Sequence, residues 1–259
     1  MNYPNLERLI GILETLRGEN GCAWDREQTH YSLKKNMIEE AYEAVDAIED
    51  GDAKHLQEEL GDVLLQVVLH SQIAKEENEF TIEDVAKGIA DKLVHRHPHV
   101  FGNVHVNGTQ DILDNWEKLK AEEKKHRKSA MDGISKAQSA LMSAQKISKN
   151  AVKKGFEWPD EETLWECFYS EIDEFKQALA NNDKENAEEE FGDILFAAVN
   201  LARWNKIDAE QALLKANRKF MARFRKMEEL AQAEGEKPLE KYSFEEYDDL
   251  WKRAKSALR

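Results

Sequence analysis

Residues 39–62 read EEAYEAVDAIEDGDAKHLQEELGD, and residues 170–193 read SEIDEFKQALANNDKENAEEEFGD. The two stretches align without a gap, 131 residues apart from Glu40 to Glu171. Each ends in Gly-Asp and runs straight into an apolar segment, VLLQVVL after Asp62 and ILFAAVNLA after Asp193. Glu40, Glu43, Glu58, Glu59, Gly61 and Asp62 match Glu171, Glu174, Glu189, Glu190, Gly192 and Asp193. An acidic run feeding a segment that wants to be buried, and doing so twice, needs a physical reason.

Glu40 and Glu43 are three residues apart and so share one face of a helix, as do Glu59 and Asp62. Asp50-Gly51-Asp52 is a short turn, so the flanking helices fold back as an antiparallel hairpin. Glu40 and Asp62 lie equally far from Gly51, and so do Glu43 and Glu59. Glu171 and Asp193, and Glu174 and Glu190, straddle Asn182 in the same way. Each hairpin therefore gathers four carboxylates at one level, over roughly 5 Å of helix axis. Beside the apolar stripes Val63-Leu64-Leu65 and Ile194-Leu195-Phe196, expected to be buried, four such acids cannot all stay ionised uncompensated. Either their pKa values rise or a multivalent cation sits among them. All-oxygen ligands favour Mg²⁺, with Mn²⁺ as the alternative, over zinc or copper. Dinuclear iron bundles pair Glu with Glu-x-x-His, and neither quartet contains histidine. Gly61 and Gly192, poor helix residues, are expected to mark a close backbone approach beside each site.

Outward from the hairpins the chain reads as all-α. Leu6, Leu9, Ile10, Leu13 and Leu16 keep helical spacing until Gly18 to Gly21. Further helices are expected over 29–47, 53–76, from the capping box at Thr81-Ile82-Glu83-Asp84 to Pro98, and over 111–128. In the second half they are expected from about 138, over 161–180, 184–205 and 208–233, with a GFEW loop at 155–158. No alternation rich in Val, Ile and Thr suggests a strand. The repeat divides the chain into 1–128 and 138–259, joined by a linker at 129–137 around Gly133.

Downstream of each acidic hairpin lies a pair of bases at i, i+4: Lys92 and Arg96 in DKLVHRH, Lys219 and Arg223 in ANRKFMARF. Their repetition favours a phosphate-bearing ligand over surface ion pairing. HRHPHVFG at 95–102 reads as a helix terminus rather than a metal site, since Pro98 breaks it. Trp251, in EEYDDLWKRAK, falls on an amphipathic helix, with base stacking as its other reading.

The 259 residues carry a formal net charge of -15, and 34% of them are charged, with 12 glycines and 4 prolines. Such a field repels nucleic acid, so a phosphate ligand is expected to arrive with a cation. Cys22 and Cys167 stand outside any CxxC pattern, which speaks against a disulfide framework or thiolate zinc site. MNYPNLERLIGILETLRGENG carries Glu7, Arg8 and Glu14 within its apolar period and reads as an amphipathic helix, not a leader. With no uncharged run of spanning length, no membrane partner is expected and the expected location is cytoplasmic. No Ser/His/Asp signature, Walker A loop or GxGxxG fingerprint is present.

A broader set of motifs now bears on identity: NGCAWDREQT, EEAYEAVDAI, EELGDVLLQVV, DKLVHRHPHVF, WEKLKAEE, ALMSAQKI, KKGFEW, SEIDEF, EEEFGDILFAAVNLAR and ANRKFMARF. In number and order these resemble the MazG family of nucleoside triphosphate pyrophosphohydrolases, in its two-repeat form, over nearly the whole chain. Ala23 replaces the proline usual in the GCPWD motif, and ISKAQSALM lacks the usual linker prolines. Both departures touch loops rather than acids. The resemblance implies a homodimer in which hairpins complete four-helix bundles. It also implies Mg²⁺-dependent hydrolysis of nucleoside triphosphates, including deoxynucleotides, to monophosphate and pyrophosphate. By the same resemblance the C-terminal repeat is the principal catalytic half, with Glu171, Glu174, Glu190 and Asp193 as metal ligands. Lys219 and Arg223 resemble phosphate-binding bases, Trp251 a nucleotide-contacting tryptophan, and Lys120 a helper from the first half. The first repeat keeps Glu40, Glu43, Glu59 and Asp62 with Lys92 and Arg96. It is open to reading as a second active site, a site for another nucleotide, or a regulatory and dimerising module. The rival reading from another class is a helical interaction protein whose acidic hairpins bind a protein partner.

Overall fold

Pro4 opens the first helix, where its missing N–H costs nothing, and the computed structural model continues helix by helix from there. It describes residues 3–123, 125, 127–235 and 238–258. Among these no strand occurs, and the chain divides into two compact units, Met1–Lys124 and Lys125–Arg259.

The first unit comprises α1 (Pro4–Arg17), α2 (Ala23–Glu27), α3 (Lys34–Asp50), α4 (Ala53–Glu76), α5 (Ile82–Arg96), α6 (Pro98–Phe101) and α7 (Thr109–Glu123). Helices α3 and α4 form the expected hairpin, with Gly51 left-handed at φ 70° and Asp52 capping α4 through the backbone N–H groups of Lys54 and His55. Ala44 and Ala47 are buried on α3, so small side chains let the two helices approach closely. The apolar core sits at the far end of α4, where Val68, Leu69 and Ile73 pack with Leu13 of α1 and Leu33. The Thr81–Asp84 capping box starts α5 as expected.

Several boundaries differ from expectation; the helix expected over 111–128 runs from Thr109 to Glu123, and the described residues 125, 127 and 128 are not helical. Helix α3 begins at Lys34, not Thr29, because Thr29 and Ser32 bond each other's backbone N–H through their hydroxyls and hold the chain in a turn. Arg17 fixes this loop further: it donates to the Asp25 and Gln28 carbonyls and grips Glu76 with Nε and Nη2. Pro98 ends α5 but also opens the short α6, a position proline suits.

The second unit repeats the plan with α8 (Ala140–Val152), α9 (Glu161–Ala180), α10 (Lys184–Trp204), α11 (Ala209–Glu234) and α12 (Phe244–Ala257). Helices α9 and α10 pair as a hairpin whose turn centres on Asn182, at φ 55°. Asparagine is among the few residues that tolerate this conformation, so it serves where the first hairpin has Gly51. Ser148 of α8 donates to Asn200 of α10 and accepts from Arg203, whose guanidinium grips Glu157 of the GFEW loop at 2.6 and 2.7 Å. Met227, Ala231, Leu250 and Ala254 form a smaller core that ties α11 to α12.

Candidate metal centres and phosphate-binding bases

In the first unit, Glu40 of α3 and Glu59 and Asp62 of α4 each offer a carboxylate oxygen, and the three oxygens lie within 4.8 Å of one another. Glu43, one turn along α3, stands outside this trio, with Glu59 as its strongest charged neighbour. Desolvation, then the charges of Asp62, Glu43 and Glu59, raises the Glu40 carboxyl above its ordinary range; desolvation and then Glu59 raise Glu43. Glu59 is 7% exposed. Its Oε1 lies 3.0 Å from His55 Nε2, while its Oε2 is buried without a hydrogen-bond partner.

The second unit reproduces the geometry. Oxygens of Glu171, Glu190 and Asp193 lie within 4.8 Å of one another, and Glu174 again stands one turn aside. Ser170 Oγ donates to Glu174 Oε1 at 2.7 Å. Desolvation, then Glu174 and Asp193, raises both Glu171 and Glu190, and Cys167 Sγ lies 3.8 Å from Glu171.

Two like charges at about 4 Å repel by about 4 kcal/mol at an effective dielectric of about 20. A trio of carboxylates thus holds its charge best around a divalent cation. The all-oxygen donors and the orphaned Glu59 oxygen both fit such an ion, and oxygen donors suit Mg²⁺ or Mn²⁺.

The bases differ between the halves. Arg96 forms a two-pronged ion pair with Glu123 of α7 and lies over the Trp116 ring at 5.3 Å. Lys92 is exposed on the same helix, near enough to Glu123 to help hold its carboxyl below the ordinary range. Arg223 lies over the Trp251 ring at 5.6 Å, with Phe220 packed against that ring at 5.2 Å and Lys219 exposed one turn before. A cavity of about 960 Å³ opens between α11 and α12, lined by Phe224, Glu228 and Tyr247. Lys120 sits on α7, 3.6 Å from Glu117.

Sequence reasoning missed His55, Cys167 and Ser170. Each stands four residues before the acid it touches (Glu59, Glu171 and Glu174), so helical spacing carried the signal. It also missed Trp116, whose partner Arg96 reaches it from another helix. Two expectations are corrected. A Cβ added to Gly61 or Gly192 would meet nothing within 4 Å, so among the described residues no backbone from another element approaches there. The stripes beyond the acids are only partly buried within the chain: Leu64 is 40%, Leu195 47% and Phe196 36% exposed, whereas Val63 and Ile194 are half-buried and Leu65 packs against the core of the first unit. His95 and His97 end α5 as read, with His97 Nδ1 2.7 Å from the Leu93 carbonyl and its ring edge-on to Trp116, while His99 falls within α6. Cys22 and Cys167 are free thiols.

A duplicated helical hairpin that converges carboxylates, each followed in sequence by a helix bearing bases, defines a class of all-α protein whose acid clusters suit a divalent cation. The profile of the MazG nucleotide pyrophosphohydrolase domain matches the chain twice, at residues 28–101 and 160–227. The chain is 47% identical over 250 residues to the nucleoside triphosphate pyrophosphohydrolase/pyrophosphatase MazG of Thermotoga maritima, covering 96% of this chain and 95% of that protein. It is 42% identical to the nucleoside triphosphate pyrophosphohydrolase of Escherichia coli K12, over 96% of this chain and 97% of the relative. It also matches the uncharacterized protein YabN of Bacillus subtilis at 48% identity, over 99% of this chain and 53% of that longer protein. The chain belongs to the MazG nucleotide pyrophosphohydrolase family.

Proposed function

We propose that the protein is a Mg²⁺-dependent hydrolase that converts nucleoside triphosphates, ATP and deoxynucleotides among them, to the monophosphate and pyrophosphate. The observation that carries this reading is the convergence of Glu171, Glu190 and Asp193 oxygens within 4.8 Å; the exposed Lys219 and half-buried Arg223 on α11 of the same unit are the bases we assign to the phosphates. The names of the relatives, two of them nucleoside triphosphate pyrophosphohydrolases, support the substrate class. Among the described residues no helix is long and apolar enough to cross a membrane, which is compatible with nucleotide-pool control in the cytoplasm. We assign principal catalysis to the repeat at 138–259, with the repeat at 1–128 and the linker at 129–137 in support.

Glu171, Glu190 and Asp193 would hold the cation, and Glu174 would complete the quartet from one turn away. Bound Mg²⁺ supplies charge neutralisation at the triphosphate oxygens and a lower pKa for a coordinated water. Glu174, oriented by Ser170, accepts the proton of the attacking water as the anhydride between the α and β phosphates breaks. Lys219 and Arg223 take up the charge that develops on the departing pyrophosphate. Trp251 and Phe220 offer an aromatic face for the base.

The commitment of Arg96 to Glu123 supports a lesser role for the first repeat, since a guanidinium already neutralised by a carboxylate attracts phosphate less. The exposed stripe of Leu195 and Phe196, with Leu64 in the first unit, supports a homodimer whose second copy covers these hairpin faces.

The test is release of pyrophosphate, as opposed to inorganic phosphate, from a panel of ordinary and modified triphosphates with Mg²⁺. Removing groups outside the ligand shell of a metal typically costs about 10–100-fold, so Glu190→Ala and Asp193→Ala should each cost more than about 100-fold. Asp62→Ala should retain most turnover. Near-normal release from Glu190→Ala and Asp193→Ala would defeat the assignment.

A further inference from the structure

We propose that His30, Glu77 and Glu79 form a second kind of metal site, one for a zinc-type divalent ion, with His70 as its positioning residue. One ligand atom from each of the three lies within 4.8 Å of the others, away from the quartet on α3 and α4. The arrangement is built by three local features. Thr29 and Ser32 hold the loop that carries His30, and Arg17 ties that loop to the end of α4. Glu77 is the last cap of α4, and Asn78 turns the chain left-handed at φ 59°. Glu79 N then donates to the Ala74 carbonyl at 2.9 Å, so the chain doubles back and Glu79 joins Glu77 beside His30.

The imidazole sets this site apart from the quartets. Mixed nitrogen and oxygen donors suit zinc-type ions, whereas Mg²⁺ prefers oxygen alone. His30 Nδ1 lies 2.7 Å from His70 Nδ1, and the two rings are parallel, with centroids 5.0 Å apart. With Nδ1–H donating to His70, Nε2 of His30 is the nitrogen left for the ion. Histidine ligands commonly donate their second N–H to a neighbouring acceptor in this way. At the repeat offset, His30 and His70 give way to Glu161 and Leu201, so the second half has no imidazole pair there. The ion would clip the 28–33 loop to the end of α4 in the first unit.

The test is zinc titration of the full chain in saturating Mg²⁺, with stoichiometry read by chelator competition and the histidine rings followed by NMR. The native chain should take up one zinc more than either His30→Gln or Glu77→Gln/Glu79→Gln, and the His30 ring signals should move with that equivalent. His70→Ala should weaken this uptake by about 10–100-fold. His70→Gln, whose carbonyl oxygen can accept from His30, should restore it, with no change in the melting temperature of the metal-free chain. Glu77 and Glu79 are exposed, so their double variant tests the site without disturbing the core. Equal zinc uptake by that variant and the native chain, or a His30 ring indifferent to zinc, would overturn the proposal.

Discussion

Glu59 is the residue at which the opposing demands on the first site meet. It is almost fully buried, paired to His55 through one oxygen and to nothing through the other, and Glu40, Glu43 and Asp62 crowd it with like charge. Without a cation that charge destabilises the hairpin, so Glu59→Gln should raise the melting temperature of the metal-free protein. The same change should abolish the part of the Mg²⁺-induced rise that belongs to the first unit, as thermal melts with and without Mg²⁺ would register. The convergence of the acids was legible in the sequence, because spacing of three within a helix and equal distance from a turn translate directly into proximity. What could not be read was the partner reached across the fold: the Arg96–Glu123 pair joins residues 27 apart on two helices, and no local period encodes it.

At the scale of elements, the caps and buried contacts decide stability. Leu164 of α9 is wholly buried, and Leu164→Ala should cost about 2–5 kcal/mol in urea unfolding. Asp160 caps the same helix, accepting from the backbone N–H of Thr163 at 2.8 Å, and that bond holds its carboxyl below the usual value of 3.8. A depressed carboxyl lends stability that is present above its unfolded pKa and lost as pH falls through the folded one. The native protein should therefore lose a capping contribution below about pH 4, and Asp160→Asn should lack that portion of the acid-induced fall in melting temperature. Helix identities followed from periodicity, and the Thr81 cap from residue type. The delayed start of α3 did not, since helical spacing persists through Thr29 to Leu33 while side-chain hydroxyls hold the backbone in a turn.

For the whole molecule, duplication is the organising fact, and the exposed apolar stripes are its unfinished business. The stripe from Leu64 in one unit and Leu195 with Phe196 in the other was expected to be interior and is not, because burial depends on what covers a hairpin and not on the hairpin's own sequence. If a second copy covers them, the 29.9 kDa chain should sediment at twice its mass, and Leu195→Glu with Phe196→Glu should shift it toward the monomer. The two turns at Gly51 and Asn182 carry a further implication, for the folding pathway. Every acid of a site lies on one or other side of a single short turn, so the ligands come together through local contacts that form early. Zipping each hairpin shut then forces like charges together before the rest of the core has formed, and the encounter slows the chain. Millimolar Mg²⁺ should speed refolding beyond what an equal ionic strength of sodium achieves, so that the cation proposed for turnover would also act as a catalyst of assembly.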